Sequence, residues 1–262
     1  MPFPEAQRVV YSQNPLVGVT CQLRFPPILR IDSEVPAAYQ ERIRASFPLF
    51  SEESVSLPLD LPAEISQLLK ANIPTQASRK AWKFASADNK WSLVLTRDSI
   101  ALSAQEYRRW EEFEAKLRET YEPFFESYHP SFLTRIGLRY SNIIDREKLK
   151  LGQVPWKDLL QPHIAAEYSS EEIADSIEDA QHQVVVLLPN GQGKLGLRHG
   201  TARRVESTET LYVVDNDFFI DQRTEVRDVF NRLTSFNRLA GHLFRWIITD
   251  RLHDAMEPTP VS

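Results

Sequence analysis

Residues Asn14 to Phe25 read Asn-Pro-Leu-Val-Gly-Val-Thr-Cys-Gln-Leu-Arg-Phe. From Leu16 onward the apolar residues alternate. Val19, Cys21, Leu23 and Phe25 fall on one side, and Thr20, Gln22 and Arg24 on the other. Alternation at period two describes a strand with one buried face. The pattern then returns. His129 to Tyr140 reads His-Pro-Ser-Phe-Leu-Thr-Arg-Ile-Gly-Leu-Arg-Tyr, and both segments have Pro, seven residues, then Leu-Arg and an aromatic ring. In the second copy Thr134, Ile136, Leu138 and Tyr140 share one face, and Arg135, Gly137, Arg139 and Ser141 the other.

What surrounds each copy is similar in order. After the first strand, Ser33 reads as a helix N-cap, with Tyr39, Ile43 and Phe47 at helical spacing and Pro48 as the stop. Residues 49–61 read as irregular and Pro62–Ala71 as a short helix. Ala81–Ala85, Lys90–Thr96 and Ser99–Ala104 read as strands joined by hairpins. An amphipathic helix follows over Glu106–Tyr128, with Pro123 expected to kink or split it. After the second strand, Trp156–His163 reads as a helical piece, and Ser169-Ser-Glu-Glu172 as a capping box opening a helix to Ala180. Gln183–Leu188 and Lys194–Arg198 read as a hairpin, and Leu211–Asp215 with Asp217–Asp221 as a tight pair. A last helix spans Thr224–Met256, and the tail from Glu257 reads as disordered.

Pro15 and Pro130, like Leu23 and Leu138, are 115 positions apart, and Asp98 and Asp217, each read as a turn residue, are 119 apart. These offsets point to an internal repeat. Strands segregated from long helices, without βαβ alternation, point to an α+β fold. The expectation is two pseudo-repeats, residues 1–128 and 129–262, joined into one compact domain. Each has the order strand, helix, antiparallel strands, long helix. Together they would make one curved antiparallel sheet with the long helices on one face, as in TATA-binding-protein-like or helix-grip folds.

Composition narrows the function. Net charge is −5, which argues against a dedicated nucleic-acid binder, since those carry a positive excess to displace counterions from phosphate. Eight glycines leave no glycine-rich phosphate loop. The single cysteine, Cys21, lies on the apolar side of its strand, so an inert buried thiol in a reducing compartment is expected. The six histidines show no metal-ligand spacing, and neither metal nor cofactor is expected. The first residues contain no signal-like apolar stretch, and no run reaches the roughly 20 apolar residues a bilayer span needs. A cytoplasmic protein is expected.

The stretch Tyr11 to Pro26, with its Pro-Leu pair and Gln-Leu-Arg-Phe strand, resembles a sporadically distributed family of uncharacterised bacterial proteins. A helix like Pro36-Ala-Ala-Tyr-Gln-Glu-Arg-Ile-Arg44 and a Phe-Pro pair continue the likeness, while Gly18 stands where that pattern carries an acid. The resemblance implies a bacterial, cytoplasmic setting and brings no site residues.

Two stretches are candidate binding sites. Thr20, Gln22 and Arg24 would lie beside Arg135, Arg139 and Ser141 if the two strands pair, and two arginines there suit a carboxylate or phosphate. The alternative is a solvated face whose arginines pair with nearby acids. Arg198, His199, Arg203 and Arg204 form the most basic loop, an anion site or a solvated hairpin end. The acidic run Glu171, Glu172, Asp175, Glu178 and Asp179 reads as a solvated helix. The expected function is non-enzymatic binding of a partner protein or small molecule through the open sheet face, with a homodimer as one form of partner. The alternatives are a small-molecule binder with a pocket between sheet and long helices, a nucleic-acid-associated protein, and a hydrolase whose site the sequence does not display.

Overall fold

In a computed structural model, which describes residues 2–55, 79–203 and 210–261, the chain is an α+β fold built on a large antiparallel sheet. The strands are β1 (Val9–Tyr11), β2 (Leu16–Arg24), β3 (Leu49–Val55), β4 (Arg79–Ala85), β5 (Trp91–Thr96), β6 (Ser99–Ala104), β7 (Arg135–Ile144), β8 (Gln181–Leu187), β9 (Lys194–Arg203), β10 (Thr210–Ile220) and β11 (Pro258–Pro260). The helices are α1 (Arg30–Ser33), α2 (Ala37–Ile43), α3 (Trp110–Tyr128), α4 (Pro162–Ala165), α5 (Val229–Ile247) and α6 (Asp250–Ala255). Among the described residues nine strands form one sheet in the order β3-β4-β5-β6-β2-β7-β10-β9-β8, and β1 pairs with β11 in a separate ribbon.

The alternation of β2 explains its central place. Val19, Cys21 and Leu23 are completely buried, and opposite Cys21 and Leu23 stand Leu138 and Ile136 of β7. A strand with one wholly apolar face and partners on both edges fixes its register, because a slip of one residue would turn that face outward. The long helices cover this apolar side. Trp110, Phe113, Leu117, Tyr121 and Phe124 form the buried stripe of α3, and Val229, Leu233, Phe236, Leu243 and Ile247 that of α5. Tyr39 of α2 donates its hydroxyl to the Thr120 carbonyl at 2.9 Å, tying α2 to α3. The other face carries a small apolar cluster of Ala202 and Val213 with Val17 and Ile143, to which no helix contributes. No helix among the described residues is long and apolar enough to cross a membrane.

Several elements differ from the sequence expectation. Residues 49–55 are an edge strand, because Phe50 stacks on Trp82 and packs against Phe84 across the β3–β4 pair. Ser33 ends α1 rather than capping α2, which starts after Pro36 and stops at Ile43. Helix α3 begins at Trp110 and runs unbroken through Pro123, whose ring costs it only the amide bond to Glu119. No helix fills 169–180. Its acids are exposed, so that segment has no apolar face to bury, and it forms short 3-10 turns at Ala166–Ser169 and Ala174–Ser176 instead. The final helix breaks at the extended residue Ile248, and Thr249 then caps α6. The tail is ordered by β11 against β1. The reading of Pro62–Ala71 as a helix lies outside the described residues.

The largest correction concerns Asp215-Asn216-Asp217. This tripeptide is not a turn but the middle of the single strand β10. Turn propensity is overridden because both carboxylates meet arginines on β7, at the register positions Asp215 to Ser141 and Asp217 to Arg139. The offset between Asp98 and Asp217 therefore does not match turn to turn.

Tyr121 joins α3 to the sheet centre. Its hydroxyl donates to the Cys21 carbonyl at 2.7 Å and accepts from the Leu102 amide at 3.2 Å. Tyr121→Phe should cost about 2 kcal/mol, because two buried backbone groups lose their partner. Urea unfolding measures this, and a loss below about 0.5 kcal/mol would contradict the bridging role.

Candidate functional site

The structure brings the first candidate group together on the sheet face away from the helices. Thr20 lies opposite Arg139, and Arg24 opposite Arg135. Each β7 arginine is met by an acid of the same chain. Arg139 grips Asp215 at 2.6 and 2.7 Å, and Ser141 donates to the same carboxylate at 2.9 Å. Arg135 donates to Asp217 at 2.6 Å and stacks on Phe219. The Gln22 side-chain oxygen accepts from Arg24 at 3.2 Å and Arg135 at 3.3 Å, while its Nε2 is buried without a partner. The Thr20 hydroxyl bonds to Ser103 at 2.9 Å. This is a ladder of internal pairs that spans β2, β7 and β10.

The second group is not brought together. Residues 194–203 are strand β9 rather than a loop, so successive side chains take opposite faces. Arg198 lies opposite Asp215 and Gln183. His199 faces the helices, buried, with Nδ1 at 2.7 Å from the Tyr212 hydroxyl and its ring stacked on His182. Arg203 makes an exposed pair with Glu178 at 3.5 Å. Arg204 lies outside the described residues. Burial raises the Cys21 thiol to about 12, so it stays protonated at neutral pH. Among the described residues no group of three or more His, Cys, Asp or Glu side chains is placed to hold a metal.

A third site is a cavity of about 770 Å3 between the sheet and the helices; of Trp110, Tyr121, Phe124 and Phe125, the α3 stripe that the sequence offers as a pocket lining, only Trp110 lines it. Its walls come from five separated segments: the lead-in 6–16, the entry to α3 at 107–114, Tyr140 and Asn142 of β7, Asn216 of β10, and one side of α5. The lead-in is held in place at several points. The Ala6 amide donates to His242 Nδ1 at 2.9 Å, Arg8 pairs with Glu111 at 2.7 Å, and the Tyr11 hydroxyl meets His253 at 2.8 Å. Tyr107 and Tyr140 both donate to Asn237 Oδ1, at 3.2 and 2.8 Å. Burial pushes the Tyr107 phenol up to about 12, so it remains a neutral donor.

The α5 wall follows from spacing. Asn231, Thr234, Arg238, Gly241 and Arg245 recur every three or four residues and line the cavity, while the apolar stripe faces the sheet. A Cβ added to Gly241 would meet nothing within 4 Å. Two lining residues, 5% and 1% exposed, each carry a buried side-chain atom without a hydrogen-bond partner, Trp110 Nε1 and Asn216 Oδ1. The sequence signal was available in principle: Val229–Ile247 carries Arg232, Arg238 and Arg245 and no acid.

Two predictions follow from these arrangements. Asp215→Ala removes the bidentate carboxylate from the Arg139 guanidinium, whose side chain is 18% exposed, and should cost about 3 kcal/mol in urea unfolding. A loss under about 1 kcal/mol would show the ladder to be incidental. Burial, reinforced by His182, lowers His199 to about 4. The folded state therefore refuses a proton that the unfolded chain accepts near pH ~6.5. The His199 contribution is complete above that pH and is lost as pH falls toward about 4, at no more than roughly 1.4 kcal/mol per pH unit. His199→Gln should flatten that slope in unfolding midpoints measured across the range. An unchanged slope would assign it to other groups.

The comparisons with known proteins place no relative beside this site: no family model matches the chain, and no curated protein matches it.

Proposed function

We propose that this chain is a non-enzymatic binding protein that receives a small molecule in the cavity between the sheet and the helices α3 and α5. The observation that carries this reading is the cavity itself. Its volume, about 770 Å3, falls within the range of small-molecule sites. Its lining combines aromatic rings, Tyr107, Trp110 and Tyr140, with a few polar side chains such as Asn142 and Asn216. Gly241 adds to this. A glycine inside a helix costs roughly 1 kcal/mol against alanine, and here it keeps the wall open where a side chain would project.

The same reading covers the finer features of the fold. Strand β2, the meander β4-β5-β6 and α3 correspond in order to β7, the meander β8-β9-β10 and α5, with β6 beside β2 and β10 beside β7. That correspondence supports a pseudo-twofold duplication whose axis passes between the central strands. A sheet gripped by long helices over a cavity is the helix-grip form of it. The open sheet face, first expected to bind, has its β7 arginines engaged by Asp215 and Asp217. The cytoplasmic bacterial setting belongs to this proposal through the resemblance of the first strand.

The test uses N-phenyl-1-naphthylamine, a neutral fluorescent probe. It should bind the purified protein with enhanced, blue-shifted emission, and native mass spectrometry should show one equivalent. Gly241→Trp should abolish the signal while the melting temperature stays the same or rises. Absence of probe binding, or undiminished binding by the tryptophan variant, would overturn the reading.

A further inference from the structure

We infer that the ligand is an organic anion, an apolar or aromatic body carrying a carboxylate or phosphate, with Arg108 and Arg238 as its counter-charges. This deepens the cavity reading above and rests on it. The whole chain carries a net charge of −5. The cavity lining reverses that sign: Arg8, Arg108, Arg109, Arg238 and Arg245 stand against Glu111 and Glu114, an excess of three positive charges.

Most of these charges are already engaged. Glu111 takes Arg8 at 2.7 Å and Arg109 at 3.4 Å. Glu114 is held by Arg118, which is outside the lining. Arg245 pairs with Asp250 and also donates to the Ile248 carbonyl at 3.0 Å. Arg108 and Arg238 have no carboxylate partner among the described residues. They enter the cavity from different elements, one from the approach to α3 and one from the acid-free helix α5. Two uncompensated guanidiniums at the exposed rim of an aromatic-walled cavity suit a molecule with an anionic head and an apolar body. The neutral phenols of Tyr107 and Tyr140 bring no opposing charge. Guanidinium recognises carboxylate and phosphate alike, so the head group is decided by the experiment.

Decanoate, decyl phosphate and decanol share one tail and differ in the head. Isothermal titration of the full chain with each, at low and high salt, separates the questions. Both anions should bind roughly tenfold or more tightly than decanol, and added salt should narrow the gap. The tighter of the two anions identifies the head group. In the double variant Arg108→Gln with Arg238→Gln the anion-to-decanol ratio should collapse toward one. Arg232→Gln, on the same helix but outside the lining, should keep the ratio. If decanol equals both anions while the naphthylamine probe still binds, the cavity reading stands and the anion class falls. If neither the probe nor any amphiphile binds, both fall. A ratio unchanged in the double variant would remove Arg108 and Arg238 from the role.

Discussion

Pairing between β2 and β7 joins the two groups of strands into one sheet. On the helix side Cys21 meets Leu138 and Leu23 meets Ile136, all fully buried. On the other side Arg139 and Arg135 reach across to Asp215 and Asp217 of β10. Apolar burial supplies most of the stabilisation. The charged ladder discriminates between registers, because any slip strands a carboxylate or a guanidinium on a crowded face. The position of α5 over β7 and β10 follows, and with it one wall of the cavity.

Much of this was legible in the sequence where the signal is local. Period two in 19–25 gave the central strand with its faces correctly assigned. Helical spacing gave the stripes of α3 and α5, and short polar links gave the β4-β5-β6 hairpins. The misreadings share one cause, local propensity overruled by distant partners. Asp215-Asn216-Asp217 looks like a turn until its arginines, more than seventy residues away, are beside it. Leu49–Val55 looks irregular until Trp82 and Phe84 give Phe50 somewhere to pack. The tail looks disordered until β1 offers it an edge. The cavity was less legible still. Its lining comes from five segments, and no one of them has a pattern that demands a hole. Only the missing acids of α5 and a glycine in mid-helix hinted at it.

The arginines of β7 and those around the cavity differ in how they are placed. Those of β7 sit opposite aspartates on a neighbouring strand at fixed register, so the backbone itself holds the pairs. Those around the cavity come from a lead-in segment, a helix entry and a helix flank, where no strand register supplies a partner. The same residue type ties strands together in one place and lines an opening in the other.

The cavity wall draws on residues from 6 to 245, and the ribbon that holds the lead-in pairs Val9 with Pro260. During synthesis the early strands therefore emerge long before the elements that complete the enclosure. A nascent chain that has made β2 through β6 and α3 has an unpaired β2 edge and no binding site. Closure waits on contacts between sequence-distant segments, the kind that slow folding. Enclosure of the cavity is thus acquired late in the life of each molecule, once the last long helix has docked.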